Sequence, residues 1–197
     1  MALKLPLVSH RLFKLMNKIT GFTLIEVLIA VLVLALALLG LAALQVTSLS
    51  NSQSAYNRSQ ATQLAYDLAD RMRANIKGKS TYTSMLPSAA KVKTDCRKTI
   101  GCSFTDMAEN DLYEWNCSVA IVSGCKNNNP SIEATLPNGQ GVVCLDATPD
   151  DGTSVTDPQC SGPGPDTVFV VKIWWDDDRT KDPVTVLRFV TSFELPV

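Results

Sequence analysis

The sequence predicts an α+β protein. A long N-terminal helix, transmembrane in its first half and amphipathic in its second, packs on a small antiparallel β-sheet with a disulfide-stapled C-terminal region. Three observations lead there. The apolar run GFTLIEVLIAVLVLALALLGLAAL (21–44) continues without proline into a segment of helical periodicity. Three later segments are rich in β-branched and aromatic residues. All six cysteines lie between residues 96 and 160, well past the apolar run.

Residues 1–21 read as a targeting leader rather than as fold. They contain Lys4, Arg11, Lys14 and Lys18 and no acid. Basic residues beside an apolar run hold that end in the cytoplasm, so the chain after the run lies across the membrane. A secretory signal would carry its cleavage site after the apolar stretch. Here the candidate processing point, Gly21-Phe22, precedes it, so cleavage would remove the basic leader and keep the helix.

Residues 27–44 carry no charge. About 18 residues at roughly 1.5 Å each reach roughly 27 Å, enough to cross a hydrocarbon core. No proline occurs between Pro6 and Pro87, and the only glycines there are Gly21, Gly40 and Gly78. Beyond the membrane, Ala61, Leu64, Ala65, Leu68, Met72 and Ile76 recur at steps of three and four, while Asp67, Asp70, Arg71 and Arg73 fall mainly elsewhere on the wheel. Gly78 is the expected stop. The predicted helix therefore covers about 22–77, with 22–44 in the membrane and 45–78 docked on a sheet. Residues 79–197 form a periplasmic or extracellular domain.

A second helix is expected over 105–122, where Ala108, Leu112, Trp115, Val119 and Val122 share a face and Ser103 or Thr105 caps the start. Its last part, CSVAIV (117–122), also reads as a strand. The segments GVVCLD (141–146), TVFVVKIWW (167–175) and PVTVLRFVTSF (183–193) read as antiparallel strands. Phe169, Val171, Ile173 and Trp175 share one face, as do Leu187, Phe189 and Phe193. The short polar DDDRTKD predicts a hairpin between the last two strands. Residues 147–166, with four prolines and three glycines, form a loop. An even cysteine count outside the cytoplasm predicts disulfides. Six cysteines allow 15 pairings; neighbour pairing, Cys96–Cys102, Cys117–Cys125 and Cys144–Cys160, is the expectation because each loop is short, with buried free thiols as the alternative.

Composition excludes several chemistries. The only histidine, His10, lies in the leader, so the remaining chain has no Ser-His-Asp or Cys-His pair and lacks the commonest metal ligand. No CxxC and no Gly-rich phosphate loop occurs. No cofactor, no metal and no enzymatic activity is expected. The acidic groups Asp150–Asp151 and Asp176–Asp178 do not have the EF-hand spacing and read as solvated loop and hairpin tips. After the leader, 14 basic residues face 19 acidic ones, a balance of −5. No nucleic-acid partner is expected from such a charge; Lys91, Lys93, Arg97 and Lys98 form a local basic group that reads as a solvated face.

Glu26 is the residue the membrane reading leaves unexplained. A carboxylate costs about 2.5–3.5 kcal/mol at mid-membrane and less near an end. Cleavage after Gly21 would supply a partner, a new α-amine about one helical turn away. The two charges would pair within one chain or across packed helices. An unmatched charge in a low-dielectric bundle penalises wrong axial offsets, so the pair would act as a registry device.

GFTLIEVLIA resembles the class III signal of type IV pilins and pseudopilins: a glycine, a hydrophobic residue, then Thr-Leu-Ile-Glu. The resemblance implies cleavage after Gly21 by a prepilin peptidase, N-methylation of Phe22, and Glu26 as the assembly carboxylate. LAYDLADRMRANIKG (64–78), DLYEW (111–115), LPNGQGVVC (136–144) and VVKIWWDDDR (170–179) resemble the PilV-type minor pilins. In that family the second and third of these blocks are nearly adjacent; here about twenty residues separate them. The resemblance implies a low-abundance subunit of a priming or tip complex. Such a subunit contacts other minor pilins and the major pilin through its N-terminal helix and contributes to adhesion and twitching. It sits in the inner membrane as a single-pass protein with its N-terminus cytoplasmic before cleavage, and then in the pilus at the cell surface. A pseudopilin of a type II secretion system is the alternative.

Overall fold

The computed structural model describes residues 21–116, 131–178 and 183–195. The chain divides into two units, Met1–Ser48 and Leu49–Val197, and helix α1 (Leu24–Ala74) runs through the division. In the first unit every described residue is exposed. This is the part of the helix long and apolar enough to cross a membrane.

The second unit holds the core. From Asn57 onward α1 buries a stripe made of Ala61, Leu64, Ala65, Leu68, Ala69 and Met72. The spacing is the three-and-four rhythm expected of one buried helical face. Ile76, expected on this stripe, is only half-buried, because α1 ends at Ala74 and gives way to a 3-10 turn, Ile76–Gly78. The short helix α2 (Lys79–Ser84) follows at once. Gly78 is therefore a corner within a helical path rather than its end. A Cβ there would lie 2.6 Å from Asn75 Nδ2 and 2.7 Å from the Phe104 carbonyl. Close approach of the helix that begins at Phe104, not freedom of φ, demands glycine at this position.

Helix α3 (Phe104–Asn116) begins at the expected place. Ser103 is its cap, since the Ser103 Oγ accepts the Asp106 N–H at 3.1 Å; Thr105 lies inside the helix. The expected continuation to 122, the strand alternative at 117–122 and the Cys117–Cys125 pair fall outside the described residues. Trp115 is buried and its Nε1 donates to the Leu64 carbonyl at 2.8 Å, which ties α3 to α1. A single turn of helix, α4 (Ile132–Thr135), precedes the sheet.

Strands β1 (Gln140–Asp146), β2 (Val168–Asp178) and β3 (Thr185–Phe193) form an antiparallel sheet in that order. Gly141 pairs with Ile173, and Ile173 with Phe189. Val143, Val171, Ile173 and Trp175 share the core with the α1 stripe, and Phe169, Leu187, Phe189 and Phe193 pack at its margin. Fully burying each of the larger aliphatic side chains contributes about 1.5–3 kcal/mol. β2 and β3 pair antiparallel, as the expected hairpin requires, but DDDRTKD is not all connection, because β2 extends through Asp178. The Asp176 N–H donates to the Pro137 carbonyl at 2.9 Å and its carboxylate accepts from Asn138 Nδ2. Asp176 thus fastens β2 to the turn before β1 instead of sitting at a solvated tip.

The outer face of the sheet is buried as well, at Val142, Cys144, Asp146, Val170, Lys172 and Trp174. That explains why β2 reads as a nearly unbroken apolar run, as strands covered on both faces do. Residues 147–166 lie against this face, held there by side chains of the sheet and by the Cys144–Cys160 disulfide.

Candidate functional site

The sequence places its functional residues in the segment around Gly21, Phe22 and Glu26. There the geometry is set by a helix cap. Thr23 Oγ1 accepts the Glu26 N–H at 3.3 Å, and the Thr23 carbonyl accepts the same N–H at 3.1 Å. Thr23 and Glu26 stand in the T-x-x-E relation of a capping box. An acid in the first turn also complements the positive end of the helix dipole. Glu26 therefore has a local role that the sequence reading missed, and the signal for it, Thr-x-x-Glu before an apolar run, was present. The cap uses the backbone N–H of Glu26; its carboxylate has no partner among the described residues.

A Cβ on Gly21 would meet nothing within 4 Å. The folded chain places no demand for glycine there, so any demand comes from what binds the segment. Phe22 is 80% exposed, and the large apolar residues of α1 stay exposed as far as Leu49. Contiguous apolar exposure on this scale marks a membrane or assembly surface.

The remaining candidates resolve into two polar clusters in the second unit. The first surrounds α3. Arg71 on α1 meets Asp67 at 2.9 Å, Asp111 at 3.2 Å and Glu114 at 3.1 Å. Arg97 also binds Glu114, at 2.7 Å, and Asn110 Nδ2 donates to the same carboxylate. Burial works against the Glu114 anion, but Arg97, Asn110 and Arg71 outweigh it and hold its carboxyl below the ordinary value. Tyr82 Oη donates to Asp111. For Asp111, burial dominates and pushes its carboxyl up despite Tyr82 and Arg71. The Tyr82 phenol is pushed up too, by burial and then by Asp111.

Ion pairs take up most of the local basic group. Lys93 pairs with Glu109 at 2.7 Å and with Asp106 at 3.2 Å, Arg97 with Glu114, and Lys98 with Asp95 at 2.6 Å. The four cations do not form an open phosphate-binding stripe; three of them spend their charge on neighbouring acids. The Cys96–Cys102 disulfide closes the loop that carries Arg97 and Lys98, and Gly101 turns it with a φ of 74°.

The second cluster is the docked loop. Lys172, fully buried, places Nζ 2.6 Å from Asp146 Oδ2, 2.7 Å from Asp151 Oδ1, 2.8 Å from the Pro158 carbonyl and 3.1 Å from the Asp151 carbonyl. Arg188 on β3 donates to the carbonyls of Asp150, Asp151 and Gly152. Asp146 is buried, which alone would raise its pKa. Hydrogen bonds from Lys172, the Thr148 N–H and Ser161 prevail and bring it down to about 2. Asp151 is thus not a solvated loop tip. Cys144, Asp146 and Cys160 lie together, but the two sulfurs are bonded to each other and offer no thiolate. The sequence reading passed over this cluster, although a lone lysine in VFVVKIWW was its trace.

Two disulfides, Cys96–Cys102 and Cys144–Cys160, have the expected neighbour pairing. Among known families, the model for the prokaryotic N-terminal methylation motif matches residues 16–42, and that for the type IV pilin Tt1218 matches residues 43–113. No curated protein and no solved structure matches the chain.

Proposed function

Because the chain belongs to the type IV pilin family, whose members are structural subunits of pili and pseudopili, we propose that it is a minor pilin of the PilV type. In this reading residues 1–21 are a leader removed by prepilin peptidase, and Phe22 becomes the methylated N-terminus. Residues 22–44 hold the protein in the inner membrane. Residues 45–78 carry the domain, and 79–197 face the periplasm and later the cell surface. The subunit joins a priming or tip complex with other minor pilins and the major pilin, and through it supports adhesion and twitching.

The observation that carries the proposal is the apolar, exposed segment from Phe22 to Leu49, helical from Leu24, with one carboxylate in its capped first turn. Helix capping by itself does not need that carboxylate, since Thr23 receives the backbone N–H. A negative charge kept at a lipid-facing helix end implies a cation brought to it, and the α-amine of a cleaved chain is one. Gly21, with open space around its missing side chain, fits a requirement imposed by the peptidase.

Glu26→Val tests the assembly role. The variant keeps the Thr23 cap, is processed and inserts, but is strongly depleted from sheared pili. Recovery at the wild-type level refutes the registry function. Deleting the gene separates the two settings of the family: loss of pili and twitching supports the minor pilin, whereas exoproteins retained in the periplasm of a normally piliated strain identify a pseudopilin.

A further inference from the structure

The loop 147–166 is closed by Cys144–Cys160 and lies on a sheet face whose centre is a fully buried lysine. Four oxygens surround Lys172 Nζ at 2.6–3.1 Å: two carboxylate oxygens, from Asp146 and Asp151, and two carbonyls, from Asp151 and Pro158. An ammonium has only three N–H bonds to give. The cage therefore offers more acceptors than the lysine can donate to, and it carries two negative charges. Oxygen-only ligands, mixed between carboxylate and carbonyl, are the set that binds a hard divalent cation. Asp146 is aimed at this point. Its Oδ1 is already satisfied by the Thr148 N–H and by Ser161, while its buried Oδ2 meets only the ammonium among the described residues.

Backbone geometry agrees. Gly152 holds a φ of 88°, and a Cβ there would come within 2.4 Å of the Pro158 carbonyl oxygen, so glycine lets the two rims of the cage close on each other. The guanidinium of Arg188 binds three consecutive carbonyls beside the cage and balances its second negative charge.

We infer that Lys172 supplies from within the chain the hard cation around which loop 147–166 is organised, so that the loop docks without a metal ion, on a site that calcium can occupy once the ammonium is removed. The proposal is independent of the role in pilus assembly. It distinguishes this cluster from an ordinary buried ion pair. In an ordinary pair, losing the lysine would leave a loop that no divalent cation restores.

Hydrogen exchange across 147–166, measured on the detergent-solubilised full chain in chelator and in millimolar calcium, tests it. The wild-type loop exchanges equally in both. In Lys172→Ala the loop exchanges on the order of ten-fold faster in chelator, and calcium returns it towards the wild-type rate. Lys172→Met, whose side chain fills the space without a charge, stays fast in both. Wild-type protection that depends on calcium overturns the proposal and needs no variant. Failure of calcium to restore the alanine variant, or rescue of the methionine variant as well, overturns it equally.

Discussion

Tyr82→Phe isolates one oxygen in the cluster that joins α1, α2 and α3. Tyr82 is fully buried, so the phenyl ring keeps its packing and only the hydroxyl is lost. That hydroxyl donates to Asp111, whose side chain is 10% exposed and whose cationic partner is Arg71 at 3.2 Å. A hydrogen bond to an ionised group contributes about 1.5–3 kcal/mol, and the carboxylate oxygen left behind stays buried. The expected loss is about 2 kcal/mol at neutral pH. The pH dependence has a definite sign. Burial already places the folded Asp111 carboxyl above its ordinary value, with Tyr82 pulling the other way. Removing Tyr82's proton raises it further, so the variant's deficit grows as pH rises from near 4 and the acid ionises. Denaturant unfolding of the solubilised chain, followed by tryptophan fluorescence, reads this directly, because Trp115, Trp174 and Trp175 are all buried. A deficit below about 0.5 kcal/mol at neutral pH, or one that does not shrink on acidification, refutes the assignment.

Asp146 predicts an acid limb of the opposite kind. Its folded value of about 2 lies below the reference 3.8. It therefore contributes about 2 kcal/mol above pH 4 that is lost as pH falls from about 4 towards 2. Asp146→Asn should abolish that limb in a pH series of unfolding free energies; an unchanged slope argues against the ion pair with Lys172. Gly78→Ala forces a Cβ against the Phe104 carbonyl and Asn75. Strain of this kind costs about 1–3 kcal/mol, visible as a lower thermal midpoint, and an unchanged midpoint contradicts the close approach of α3.

The elements were legible wherever one side-chain period decided the outcome. The α1 stripe at Ala61, Leu64, Leu68 and Met72 and the inner face of β2 at Val171, Ile173 and Trp175 follow directly from spacings of 3.6 and 2. Gly78 was found for the wrong reason: a sequence shows a glycine but not the carbonyl of Phe104 that approaches it. Asp176 and Asp151 were assigned to solvent because their partners, Asn138 and Lys172, lie far along the chain. Loop 147–166 was harder still. It is held largely through the backbone carbonyls of Asp150, Asp151, Gly152 and Pro158, which leave no trace in residue identity. At the N-terminus the motif was plain in the sequence, and Thr-x-x-Glu already carried the capping signal; the open space around Gly21 needed coordinates.

In the proposed reading the mature chain begins at Phe22, with an amine placed to meet the Glu26 carboxylate. Intact mass measurement of the protein purified from membranes and from sheared pili is the decisive test. A single species lacking residues 1–21 and carrying one methyl group at its N-terminus is the expected result. A native chain that still starts at Met1, and is found in pili in that form, contradicts it.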